Sequence, residues 1–143
     1  MKPHATCHLP PISPPTVFVV DDDPAVLKSL SRLLRSEGLI VAAFSSAREF
    51  LELFDPNLPG CLILDVAMPE MNGLELQQIL SAGGQELAIV FLTGHGEIPM
   101  SMGAIKDGAV DFLNKPVNDV DLLNAVHTAI ERDRLRRQKD KNL

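Results

Sequence analysis

The sequence predicts a single α/β domain: a doubly wound parallel sheet with helices packed on both faces. Two observations predict it. Short apolar runs rich in β-formers alternate five times with stretches of helical periodicity. The runs are also apolar throughout rather than at every second residue, as expected of strands covered on both faces. Length agrees: 143 residues, 45% hydrophobic and 22% charged, suit one domain with a full core. Right-handed crossovers then leave few topologies, and no internal repeat is visible.

The elements follow in order. Residues 1–15, MKPHATCHLPPISPP, carry five prolines and no periodicity, and predict a disordered leader. His4, Cys7 and His8 lack a fourth ligand and a fold to hold a metal. The domain is expected from Thr16 to Glu131. Val17–Val20 is the first strand, ending at Asp21-Asp22-Asp23-Pro24. Pro24 suits the first helical position with Asp23 as N-cap; Val26, Leu27, Leu30, Leu33 and Leu34 recur at helical spacing until Gly38. Leu39–Phe44 is the second strand. Ser46 and Glu49 form a capping box before Phe50, Leu51 and Phe54. Cys61–Leu64 is the third strand, ending at Asp65. The turn Met68–Gly73 leads to a helix through Leu74, Leu76, Ile79 and Leu80, stopped at Gly83-Gly84. Leu87–Leu92 is the fourth strand, ending at Thr93-Gly94. A helix is expected near Pro99–Asp107, then a fifth strand at Ala109–Leu113, then Lys115-Pro116. Asn118 and Asp121 open the last helix, with Leu122, Leu123, Val126 and Ile130 facing inward.

Composition narrows the function. A net charge of −6 argues against the domain lying on DNA or an anionic membrane. With no Trp and no Tyr, stacking surfaces for bases or flavins are scarce. No apolar stretch reaches the roughly 18 residues of a membrane span, and the N-terminus lacks a secretory h-region. Cys61 reads as a small buried hydrophobe and Cys7 lies in the leader, so no disulfide is expected, in keeping with a reducing cytoplasm.

In an open parallel sheet, ligands bind at the carboxyl ends of the strands. There the sequence places Asp21, Asp22 and Asp23, then Asp65, Thr93 and Lys115. Asp23 is accounted for as a cap. The remaining carboxylates repel one another unless a hard cation holds them, and Mg²⁺ prefers a few carboxylates plus water and a phosphate oxygen. Asp65 then suits attack on phosphorus to give an aspartyl phosphate. Lys115 and Mg²⁺ supply charge neutralisation, and Thr93 supplies a hydroxyl donor.

With those residues in place, the chain resembles the receiver domains of two-component response regulators. The motifs are VVDDDP, LILDVAMPEMNG, FLTGHGEIP and AVDFLNKP, and they cover nearly everything from Thr16 to Glu131. The stretch TGHGEIPMSMGAIKDGAVDFLNKPV is similar to the FixJ-like subfamily in particular. The resemblance implies a flavodoxin-like (βα)5 fold with strand order 2-1-3-4-5. It implies Asp65 as phosphoacceptor; Asp22, Asp65 and the Ala67 main-chain carbonyl as Mg²⁺ ligands; Asp21 acting through water; and Thr93 and Lys115 on the phosphoryl oxygens. It further implies a cis Lys115–Pro116 peptide, a sensor histidine kinase as donor, and Thr93 with Phe112 as the switch pair. The switched surface is that of the fourth helix, fifth strand and fifth helix, including Met100, Ile105 and Val110. Phosphorylation-dependent homodimerisation is the expected output, with DNA reached through a C-terminal domain absent from this chain.

Residues 131–143 carry six basic and three acidic side chains. They read equally as the start of a charged interdomain helix and as a solvated helix end favoured by the macrodipole; DNA binding by this tail alone is not expected. His95 reads as an exposed loop residue, His127 as structural, and Met68, Met71, Met100 and Met102 as packing and docking surface. Two rivals stand beside the receiver reading. A phosphatase of haloacid-dehalogenase type also uses Asp, Thr, Lys and Mg²⁺, and Asp21 and Asp23 form its D-x-D pair; but Pro24-Ala25 replaces a Thr-bearing turn and no acidic pair follows Lys115. A flavodoxin-type carrier needs a Ser/Thr/Gly-rich phosphate loop, where this chain has three aspartates.

Overall fold

The computed structural model describes residues 14–94 and 109–141. The leader through residue 13, the helix expected near Pro99–Asp107, His95, Met100, Met102 and Ile105 all lie outside the described residues. Five strands form one parallel sheet: β1 (Thr16–Val20), β2 (Ile40–Phe44), β3 (Gly60–Asp65), β4 (Ala88–Thr93) and β5 (Ala109–Asn114). Their order is β2-β1-β3-β4-β5, the order the resemblance implies. Around them run α1 (Pro24–Ser36), α2 (Ala47–Leu53), α3 (Gly73–Ala82) and a C-terminal helix (Asp119–Lys141).

Strand pleating sorts the core into two layers, because successive side chains point to opposite faces. Phe18, Val20, Leu62, Leu64 and Phe91 meet Phe50 of α2 and Leu76 and Leu80 of α3. Val17, Val19, Ile63, Val90 and Leu92 meet Leu30 and Leu34 of α1 and Leu122, Val126 and Ala129 of the C-terminal helix. The central strands β1, β3 and β4 are buried at every position. The two outer strands are not: Ile40 is 47% exposed, since β2 has a neighbour on one side alone. Each fully buried Phe, Leu or Ile contributes about 1.5–3 kcal/mol.

The helix starts follow local chemistry. The Asp23 side chain accepts from Ala25 N ahead of α1. Ser46 accepts from Glu49 N, while Glu49 Oε1 reaches back to Ser45 N. Asn72 and Glu75 form a capping box at α3, and Asn118 Oδ1 accepts from Val120 N and Asp121 N before the last helix. Phe54, expected inside the second helix, is instead its C-cap, with an extended ψ of 145°. Its ring still stacks on Phe50 at 4.4 Å, so the apolar signal marked packing one residue beyond the helix.

The C-terminal helix runs unbroken to Lys141, and its charged half packs onto the sheet. Asp133 is buried. Its carboxylate accepts from Gly60 N at 2.9 Å, Arg136 Nη2 at 2.9 Å and Arg137 Nε at 2.8 Å. Arg137 also donates to the carbonyls of Leu58 at 2.7 Å and Pro56 at 3.3 Å. This clasp ties the helix to the loop entering β3. Gly60 is required there: its φ is +146°, and a Cβ would lie 1.8 Å from the Thr16 carbonyl oxygen. His127 is exposed, Met68 buried and Met71 half-buried against the core.

Candidate functional site

Parallel pairing in register brings the strand ends together. Val20 pairs with Leu64 across β1 and β3, Asp65 with Leu92 across β3 and β4, and Thr93 with Asn114 across β4 and β5. A register shift between Ile89 and Val90 opposite β5 precedes that last pairing. Asp21 and Asp22 directly follow β1, Asp65 ends β3, Thr93 ends β4, and Lys115 directly follows β5. All five therefore meet at one sheet edge, the carboxyl one, where the backbone no longer consumes the side chains in packing.

The centre is an acid pair around one ammonium. Lys115 Nζ lies 2.9 Å from Asp21 Oδ2 and 3.3 Å from Asp65 Oδ2. Asp21 is wholly buried and Asp65 nearly so. Asp21 Oδ1 accepts from Asp23 N at 2.9 Å, and Asp65 Oδ1 accepts from Ala67 N at 3.2 Å. Burial, then the Asp21 charge, pushes the Asp65 carboxyl from 3.8 up to about 7, against the opposing pull of Lys115. Burial works against the Lys115 ammonium, yet the attraction of Asp21 and then Asp65 outweighs it and holds its pKa above the ordinary value. One ammonium does not fully compensate two buried carboxylates.

That imbalance fits a cation. Asp21, Asp22 and Asp65 offer carboxylate oxygens that all lie within 4.8 Å of one another. Asp21 Oδ2 is sealed from solvent and meets Lys115 as an ion pair without a well-formed hydrogen bond of its own. Asp22 is exposed, and a cavity of about 250 Å³ opens beside it, lined by Ser45, Ala47, Arg48, Met68 and Met71 among others. An all-oxygen donor set with a solvent approach matches a hard divalent ion that keeps several waters.

The other expected residues are close by. Ala67 is two residues past β3 and holds Asp65 through its N–H. Thr93 is buried, and its hydroxyl donates to Asn114 Oδ1 at 3.0 Å. Phe112 is half-buried, its ring stacked on Phe91 at 5.2 Å with 9° between planes. The Lys115–Pro116 peptide is cis. Two contributors escaped the sequence reading. Gly73, at the start of α3, has no room for a Cβ, which would lie 2.4 Å from the Asp65 carbonyl oxygen; its signal was an Asn-Gly pair after the Met68–Met71 turn. Asn114, at the end of β5, carries no motif of its own.

Fold and site together place a buried aspartate among further carboxylates at the carboxyl edge of a five-stranded parallel sheet. The family model for the response regulator receiver domain matches residues 17–127, and the chain belongs to that family. It is 50% identical over 127 residues to nodulation protein W of Bradyrhizobium diazoefficiens, covering 89% of this chain and 56% of that one. It is 45% identical over 116 residues to the transcriptional regulatory protein FixJ of Azorhizobium caulinodans, covering 81% and 55%. The solved structure of the response regulator StyR superposes with a TM-score of 0.88 at 46% identity, covering 91% of this chain and 66% of that one. The receiver is thus of the FixJ-like kind, and the chain spans about half the length of the curated relatives it matches. Receiver domains are signalling modules rather than classical enzymes, which sets aside the phosphatase and flavin-carrier readings. Among the described residues, no helix is long and apolar enough to cross a membrane.

Proposed function

We propose that this chain is a cytoplasmic phosphoacceptor that takes a phosphoryl group from a sensor histidine kinase onto Asp65. One observation carries the reading: Asp65 shares the Lys115 ammonium with Asp21, at 3.3 Å from Nζ, and its carboxylate lies within 4.8 Å of oxygens of Asp21 and Asp22. In the transfer, an Asp65 carboxylate oxygen attacks phosphorus, the phosphorus–nitrogen bond to the donor imidazole breaks, and an acyl phosphate forms. Lys115, already drawn towards Asp65, offsets the charge on the transferred group. The Thr93 hydroxyl donates to a phosphoryl oxygen. Asp22, Asp65 and the Ala67 carbonyl are the residues to hold Mg²⁺ directly, and Asp21 through a water. When bound, Mg²⁺ neutralises the acid cluster and the developing phosphoryl charge.

Output follows from the same edge. Drawing Thr93 towards a phosphorylated Asp65 shifts the end of β4 and opens space for the Phe112 ring, because packed interiors change between discrete arrangements. The surface that changes runs over β5 and the C-terminal helix, and the expected consequence is homodimerisation. In relatives whose names mark them as transcriptional regulators, such as FixJ, the matched segment is about half of the protein; control of transcription through a DNA-binding domain outside this chain is the corresponding proposal. Residues 16–131 are the receiver in this reading, and 132–143 a charged C-terminal helix extension or linker.

Incubation with acetyl phosphate tests the chemistry. Label uptake is expected with Mg²⁺, and is expected to fall away with a chelator or in Asp22→Ala. Equal uptake without any divalent ion would overturn the metal assignment.

A further inference from the structure

The Thr93 hydroxyl makes its hydrogen bonds on the β5 side. It has one hydrogen to donate, and donates it to Asn114 Oδ1 at 3.0 Å. The Leu113 carbonyl, at 3.5 Å, is a more distant second acceptor. Both acceptors belong to β5, and β4 lies between β5 and the strand that carries Asp65. The pairing is fixed by the sheet itself, since Thr93 and Asn114 are register partners and Lys115 N donates to the Thr93 carbonyl at 2.9 Å. Thr93 is buried, so its hydroxyl has no water to turn to. Asn114 is exposed, so its carboxamide is solvated on one side and gives up the contact at small cost.

We propose that Asn114 is a positioning residue that holds the Thr93 hydroxyl on the β5 side of the unphosphorylated domain, and so sets how readily the phosphorylated state forms. This rests on the reading of Asp65 and Thr93 given above. A phosphoryl group on Asp65 and the Asn114 carboxamide compete for a single proton donor. A phosphoryl oxygen is the stronger acceptor, because it is charged, and the difference between the two bonds is what the switch gains. Removing the carboxamide removes the competitor. The hydroxyl then has the distant Leu113 carbonyl alone to leave. A residue that merely stabilised β5 would act with the opposite sign: its loss would loosen the strand and weaken the phosphorylated state.

The test is beryllofluoride binding to the full chain in Mg²⁺, followed by fluorine NMR, for wild type, Asn114→Ala, Thr93→Val and the double variant. Asn114→Ala is expected to bind about three- to tenfold tighter than wild type, the effect of one neutral hydrogen bond, with Mg²⁺ affinity unchanged. Thr93→Val is expected to bind more weakly, and adding Asn114→Ala to it is expected to change nothing. If Thr93→Val weakens binding while Asn114→Ala leaves it equal or weaker, the holding role is wrong and the reading of the site stands. Equal tightening in both backgrounds also overturns the proposal, since the effect would not pass through the hydroxyl. If Thr93→Val binds as wild type, the assignment of Thr93 to the phosphoryl group falls, and this inference with it.

Discussion

Asp65→Asn should stabilise the domain in the absence of divalent ions, and do so in a pH-dependent way. The carboxyl is raised from 3.8 to about 7 by burial and by the Asp21 charge. Between those values the folded domain holds more protons than the unfolded chain, so stability falls as pH rises through this window and is level above it. The shift is about three units at about 1.4 kcal/mol each, a ceiling of about 4 kcal/mol. Relaxation and water entry at the sheet edge reduce this to about 1–3 kcal/mol. The asparagine keeps an acceptor for the Ala67 N–H, and Lys115 retains Asp21 at 2.9 Å, so little is lost in exchange. Urea unfolding by far-UV circular dichroism suits a chain without Trp or Tyr. With a chelator present, the variant should match wild type near about pH 4 and exceed it by about 1–3 kcal/mol at about pH 8. Mg²⁺ should narrow the gap by stabilising wild type. A variant equal to or less stable than wild type at the higher pH would refute the argument that Asp65 is ionised at a cost.

The clasp of the C-terminal helix gives a second prediction. Asp133→Ala leaves the Gly60 N–H without its acceptor and takes the carboxylate from Arg136 and Arg137, and should cost about 3 kcal/mol in the same unfolding assay, the low end for a broken buried pair because Arg137 keeps its carbonyl acceptors; a loss under about 1 kcal/mol would show that the clasp is ornamental. Gly73→Ala forces a Cβ against the Asp65 carbonyl and should cost about 1–3 kcal/mol. Because the displaced backbone is that of Asp65, its acetyl phosphate labelling should slow as well, and unchanged labelling would separate the α3 start from the site.

Most of the site was legible because it is local. Each of Asp21, Asp65 and Lys115 sits where an apolar run meets a polar turn, and the edge rule for parallel sheets places such junctions together. The core strands were legible for the same reason, since Val17–Val20 and Cys61–Leu64 are apolar without a break. What escaped depends on partners distant in sequence. Asp133 and Gly60 are 73 residues apart, and nothing in the charged stretch around Asp133 distinguishes a buried carboxylate from a solvated one. Asn114 gains its role from a register shift in β5 that places it opposite Thr93, which periodicity does not encode. The second helix was read one residue too long because Phe54 packs like a helical residue while its backbone is already extended.

The central claim is that Asp65 accepts the phosphoryl group. Mass spectrometry of the intact chain after acetyl phosphate and Mg²⁺, followed by peptide mapping of the trapped acyl phosphate, tests it most directly. The account predicts one added phosphoryl group, carried by the peptide containing Asp65 and absent in Asp65→Asn. Undiminished addition in that variant, or a map that places the group on another residue, would contradict it.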